Sequence, residues 1–274
     1  MIPMKWTSTS GKLALAMLLQ WGALSADPLP VRHPEGLVPG FLVLRALDGE
    51  MLAEGDLTQV TRGDRVTSVL AFHFKDGSLH EETVVFSQRR NFRLISYRLV
   101  QKGPTFKEPV DMTADSSTGR LTVRYADKDG KEKTATEVRT LPTDLANGMI
   151  PVLLKNVAPN MPVVRFSMVA ATPKPRLVKL AISRDGDDSF SIAGSRRKAT
   201  RYDIKVEIGG LSGVVAPLVG KQPPDTHVWI LEGSAPAFLK SEGPLFEGGP
   251  ISRIELTSPV WPKGESQTGQ NGTR

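Results

Sequence analysis

The chain has 274 residues, enough for one large β domain or two smaller ones, and its 39% apolar and 23% charged residues are ordinary for a globular protein with a sizeable core. It holds no cysteine, which excludes disulfides, thiolate nucleophiles and cysteine-ligated zinc. Its formal charge of +6 becomes +4 without Lys5 and Lys12, and the remaining Lys and Arg are interspersed with acids, so no nucleic-acid footprint is indicated.

At the N-terminus, Lys5 and Lys12 precede the apolar run Leu13–Leu19, which continues through Trp21 to Leu24. Small residues follow, so Ala23-Leu24-Ser25 or Leu24-Ser25-Ala26 offers a cleavage site. This is the pattern of a Sec signal peptide, with cleavage near Ser25/Ala26 and a periplasmic or secreted product. The run is short for a membrane span, although an uncleaved anchor is the competing reading. No second long apolar run occurs, so the mature chain is expected not to span a membrane. The expected organisation is a signal peptide over 1–26, one β-rich domain over 27–263 and a polar, disordered tail over 264–274.

From Phe41 onward the pattern is strand and turn, repeated. Asp48-Gly49, Asp76-Gly77, Asp129-Gly130 and Asp185-Gly186 read as tight hairpin turns, because Asp-Gly tolerates the positive φ such turns require. Gly63-Asp64 makes a similar turn between Leu57–Val60 and Val66–Val69. Val69–Phe74, Thr83–Phe86, Phe92–Tyr97 and Leu121–Tyr125 carry the apolar content or the alternation of half-buried strands. Further strands are expected at Val163–Val169, Arg176–Ile182, Phe190–Ala193, Tyr202–Ile208, Val228–Leu231 and Ile251–Leu256. The fold class is mainly β: a curved antiparallel meander sheet, a half-barrel, with a central kinked helix on its concave face.

That helix is expected between Thr143, a candidate cap, and Val157. Leu145, Met149, Leu153 and Val157 fall at spacing four, with Ile150 and Leu154 beside them, which makes one apolar face at the helical period. Pro151 removes a backbone donor in the middle and predicts a kink, or two short helices meeting there; Gly148 weakens the segment further.

Val31-Arg32-His33-Pro34-Glu35-Gly36, Asp76-Gly77-Ser78 with Glu81–Gln88, Gln101-Lys102-Gly103-Pro104 and Asn147-Gly148-Met149 resemble an uncharacterised family of exported bacterial proteins. The order of strands, central helix and strands is similar to the periplasmic lipoprotein-carrier fold, an architecture of a half-barrel over helices and a hydrophobic cavity. The resemblance spans roughly residues 31–160 and brings no functional residues with it.

Chemistry-bearing candidates are few. A two-residue Asp76-Gly77 turn would place His73 opposite His80 and Glu82 on the same face, a two-His, one-carboxylate set suited to Zn²⁺; the bland reading is a solvated polar face, and a register shift of one destroys the cluster. No nucleophile elbow, phosphate loop or dinucleotide fingerprint occurs, so neither enzyme nor cofactor is expected. Asp187-Asp188 lacks the rest of a calcium loop. Arg196, Arg197, Lys198 and Arg201 form the densest basic run, either a solvated loop or a surface for anionic headgroups or an acidic partner. The helix face Leu145, Met149, Ile150, Leu153 and Leu154 either fills the core or lines a ligand cavity.

Two functions follow as expectations: a cell-envelope binding protein for a lipid or other apolar molecule, or a structural protein that pairs with an envelope partner through its sheet edges. A metal-dependent enzyme at the His73 hairpin is a distant third. Export is checked first: the N-terminal sequence of the exported protein should begin at Ala26 or Asp27, and a product still starting at Met1 contradicts the signal-peptide reading.

Overall fold

The computed structural model describes residues 28–127, 129–192, 194–207 and 223–257. The expected signal peptide over 1–26 and the expected tail over 264–274 lie outside the described residues. The first meander runs β1 (Val38–Ala46), β2 (Met51–Arg62), β3 (Arg65–Phe74), β4 (Leu79–Ser87), β5 (Arg93–Lys102), β6 (Val110–Asp115), β7 (Arg120–Ala126) and β8 (Glu132–Val138). A single short helix, α1 (Ile150–Leu154), follows among the described residues. The second meander runs β9 (Val163–Ala170), β10 (Arg176–Ile192), β11 (Ser195–Glu207), β12 (Thr226–Leu231), β13 (Ala237–Pro244) and β14 (Ile251–Leu256).

β1 and β14 pair antiparallel and weld the two meanders into one open, 14-stranded antiparallel sheet whose edges are β8 and β9. The main core cluster joins Val84, Tyr97 and Met112 of the first meander to Phe166, Ile182, Ile204 and Val228 of the second. Strands so distant along the ladder share a core only because the sheet curls, and the inward residues alternate with outward ones as a pleated, one-sided sheet requires. No helix among the described residues is long and apolar enough to cross a membrane.

The turns set the register. Gly63-Asp64 is a two-residue turn, with Arg62 opposite Arg65. Three Asp-Gly turns carry one residue more. Ala46 N–H bonds to Glu50 C=O, Phe74 N–H to Ser78 C=O and Asp127 N–H to Lys131 C=O, while Gly49, Gly77 and Gly130 donate back to the first residue of each set. This is the three-residue hairpin in which a type I turn is followed by a left-handed glycine. Asp185-Gly186 does not turn the chain at all. It sits inside the long β10–β11 ribbon, where the register shifts between Arg184 and Gly186. With φ at +119°, Gly186 supplies the positive-φ residue of a bulge instead.

The central kinked helix is corrected. α1 spans five residues, Met149 is its N-cap, and Pro151 lies in its first turn, where a missing N–H costs nothing. The preceding residues do not coil, because they cover the edge of the sheet. Leu145 forms a parallel bridge to Ser167, with Ala146 N–H donating to Ser167 C=O and Ser167 N–H to Asp144 C=O. Asn147 continues the ladder with its side chain: its amide donates to Val169 C=O at 2.9 Å and accepts from Val169 N–H at 2.8 Å. The buried Asp144 accepts from Ser167 Oγ at 2.7 Å and from Lys179 Nζ at 2.9 Å. Gly148 then reverses the chain at φ +65° and packs on Val84 and Tyr97, where a Cβ would collide.

A second set of contacts fastens the start of the domain. Asn156 Oδ1 accepts from the backbone N–H groups of Arg32 and His33, and its amide donates to Val152 C=O. Glu35 is buried between Lys155, which pairs with Oε1, and Gln59, which donates to Oε2. Gln88 donates to the Glu35 carbonyl at 3.0 Å and accepts from its N–H at 2.6 Å.

Candidate functional site

A second, smaller core cluster forms around Leu42, Leu44, Ala53 and Phe72, with Leu52, Leu57, Phe74, Leu245 and Ile254 packed against it. Beside it lies a cavity of about 280 Å³. Leu44 and Leu52 flank the first hairpin turn, and Phe74 ends β3; these three form one wall. Leu245, Phe246 and Pro250 come from the β13–β14 connection, and Thr105 from the β5–β6 connection. The pocket is open to solvent, and most of its lining side chains are partly exposed.

The loop that carries Thr105 is held in place by the β3–β4 turn. Asp76 Oδ1 accepts from Ser78 N–H at 2.9 Å and Oδ2 from Thr105 Oγ at 2.8 Å, while Thr105 N–H donates to Ser78 Oγ at 2.9 Å. The Ser78 amide, Ser78 hydroxyl and Thr105 hydroxyl together hold the Asp76 carboxyl below the usual carboxylate range. Gly103 permits the approach: its φ is +104°, and an added Cβ would lie 2.6 Å from Ser78 Cα. Next in the loop, Phe106 makes edge-on contacts with Phe74 at 5.5 Å and Phe246 at 5.1 Å. Two loops and a hairpin tip are thereby joined into one aromatic rim.

Among the described residues, none that lines the cavity is charged. Its two hydroxyls are already engaged, Thr105 with Asp76 and Ser252 with the Gly243 carbonyl at 3.3 Å.

The helix-face residues sit elsewhere. Leu145, Met149, Leu153 and Leu154 are buried in the main core, and Ile150 packs partly exposed against it. The void that Leu145, Met149 and Leu153 share with Phe92 and Phe166 is about 10 Å³, near the lower limit for one water. Among the described residues these side chains are packed in the core.

The His73 cluster is corrected through the turn. The three-residue loop pairs Phe72 with His80 and His73 with Leu79, which puts the two histidines on opposite faces. His73 is exposed and His80 is 1% exposed. His80 lies between Phe72 and Phe106, with Nδ1 3.0 Å from the Gln101 amide and Nε2 3.3 Å from Glu82 Oε1. Burial, then the nearby Glu82 carboxylate, pushes the Tyr97 hydroxyl well above its ordinary range. Among the described residues no set of three His, Asp or Glu side chains is arranged to hold a metal.

The basic run belongs to β11 and not to a loop. Lys198 pairs with Asp187 at 2.8 Å, and Arg201 with Asp185 at 2.9 Å and Asp188 at 3.4 Å. Lys198 and Arg184 hold the Asp187 carboxyl down to about 2. Half of the run is thus neutralised by β10, and Arg196 and Arg197 remain as exposed cations.

No family model and no curated protein matches this sequence. Among solved structures it is similar to a β-barrel-like protein of a domain of unknown function from Brucella abortus, with 12% identity and a TM-score of 0.46 over 83% of this chain and 99% of that one. A likeness of that degree assigns neither family nor function.

Sequence reasoning missed the cavity residues, since they sit at strand ends and in two Gly- and Pro-containing loops without periodicity; the Gly103-Pro104 and Gly248-Gly249-Pro250 runs are the traces they leave. The packing makes a definite demand on the other region. Leu153→Ala should cost about 2–5 kcal/mol in chemical denaturation, the range for a leucine that leaves an unfilled void. A loss below about 1 kcal/mol would show that the helix face lines open space.

Proposed function

We propose that this chain is an exported binding protein of the cell envelope that takes an apolar ligand, a lipid chain or another apolar small molecule, in the cavity framed by Leu44, Leu52, Phe74, Leu245 and Phe246. The observation that carries this reading is the cavity itself, about 280 Å³ with a mainly apolar wall. The pocket is open to solvent on one side, which gives an apolar group a way in. Among the described residues the wall has no charge to pair with a headgroup, so in this reading the apolar part of the ligand enters and any polar part stays at the mouth. Export rests on the N-terminal pattern of Lys5, Lys12 and the apolar run after them. Binding without catalysis fits the engaged hydroxyls of Thr105 and Ser252.

Titration with the apolar fluorophore N-phenyl-1-naphthylamine tests the site. The wild type should show saturable uptake at one site. Leu52→Trp, which fills the cavity, should weaken uptake at least about tenfold, equivalent to 1.4 kcal/mol. Leu153→Ala, in the main core, should leave uptake within about twofold of the wild type. Absence of saturable uptake, or uptake indifferent to Leu52→Trp, contradicts the proposal.

A further inference from the structure

The two edges of the sheet are treated differently by the fold. The C-terminal half of the β9 edge, at Ser167 and Val169, is covered by Asp144–Asn147, down to a side-chain amide that stands in for a peptide group. The β8 edge carries no such cover among the described residues. β8 holds no Pro, no Gly and no bulge, and its register against β7 is continuous from Val138 to Glu132. Regular, exposed edges of this kind are templates for another strand.

The backbone says which residues of β8 face outward. Arg139 N–H donates to Gly119 C=O, and Lys131 C=O accepts from Asp127 N–H, so the odd-numbered residues bond to β7. Antiparallel ladders alternate, and Glu132, Thr134, Thr136 and Val138 therefore direct their N–H and C=O groups to the free edge. All four are exposed, and Val138, at 64%, is among the most exposed large apolar residues. The odd residues Lys133, Ala135 and Glu137 stand on the face of Tyr125, Val123 and Leu121, their partners on β7.

The sequence Glu132-Lys133-Thr134-Ala135-Thr136-Glu137-Val138 is close to self-complementary when read antiparallel to itself about Ala135. Thr134 then meets Thr136 of a second copy, and Glu132 meets Val138, as the hydrogen-bonded pairs that outward-facing residues must make. Lys133 meets Glu137 in the non-hydrogen-bonded positions, where opposing side chains approach most closely. The twofold axis generates each of these contacts twice, as an isologous interface requires. In the single chain Lys133 pairs with Asp127 at 2.9 Å and Glu137 with Arg139 at 3.3 Å, but these side chains are 56% and 42% exposed and their surface pairs are readily exchanged.

We propose that β8 is a homotypic interface: two copies of this chain pair antiparallel through β8, centred on Ala135, with Lys133 of each copy opposite Glu137 of the other. The dimer extends the two open sheets into one and leaves the apolar cavity outside the contact, since none of its lining residues lies on β7 or β8.

Charge exchange tests this directly. Sedimentation velocity of the wild type over a rising concentration series should show a monomer–dimer equilibrium. Lys133→Glu or Glu137→Lys alone sets like charges opposite one another twice and should weaken the dimer about tenfold. The double variant Lys133→Glu/Glu137→Lys restores the opposite pairing and should return the dissociation constant to within about threefold of the wild type. Thr134→Pro removes an outward N–H and should abolish the dimer, and a wild-type-like thermal melt of each variant shows that folding is intact. A wild type that stays monomeric throughout overturns the proposal and makes Lys133 and Glu137 guards against pairing. A dimer unaffected by either single exchange overturns it as well.

Discussion

An open sheet must satisfy two edges, and the rest of this structure depends on how one of them is closed. Asp144–Asn147 runs alongside β9, and the Asn147 side chain bonds both the N–H and the C=O of Val169. A buried peptide group left unpaired costs about 1–3 kcal/mol, so Asn147 does what only a further strand would otherwise do. The same segment then reverses at Gly148, begins α1 at Met149 and sets Leu153 and Leu154 into the core between the two meanders. Lys155 and Asn156, just past the helix, capture Glu35 and the backbone of Arg32 and His33. One run of thirteen residues, 144–156, thereby closes an edge, fills the core and anchors the start of the domain.

The division of the inner face into two clusters follows from that run. Where α1 and its leader reach, the sheet is filled, and the residual void is about 10 Å³. Around Leu44 and Phe74 no helix lies among the described residues, and the cover is two connecting loops joined through Phe106. Loops span a curved surface less tightly than a helix fills it, and the cavity of about 280 Å³ is the result.

Much of the fold was legible. Alternation and turn residues located most strands of both meanders, and the apolar stripe at 145, 149 and 153 correctly identified side chains that share one surface. The stripe was read as helical because period alone does not distinguish a helix from an extended leader that enters a short one; the deciding contacts, from Ser167 and Val169, are long-range. The sequence pattern delimits no separate strand for β1, β6, β8 or β13, and for β8 the cause is plain: Glu-Lys-Thr-Ala-Thr-Glu-Val has no apolar alternation to show. The metal candidate failed on one residue of register. Asp-Gly serves two-residue and three-residue hairpins alike, and that single step moved His73 to the other face of the sheet from His80. The sequence segments that suggested a family do converge in space: Glu35 meets Gln88, Ser78 meets the Gly103 loop, His80 meets Gln101, and Gly148 packs on the β4–β5 pair. They are fastenings of the fold, which is why they carried no catalytic pattern.

The central claim is that Asn147 and its neighbours cover one edge at Ser167 and Val169, while among the described residues the other edge is open. Residue-resolved amide hydrogen exchange at protein concentrations low enough to keep the chain monomeric compares the two directly. The amides of Ser167 and Val169 on β9 should exchange slowly, near the rate set by global unfolding, while those of Thr134 and Thr136 on β8 should exchange orders of magnitude faster. In Asn147→Ala the protection of Val169 should collapse, with that of the central strands β1 and β14 retained. Equal rates at the two edges, or a Val169 amide that is fast in the wild type, would contradict the account.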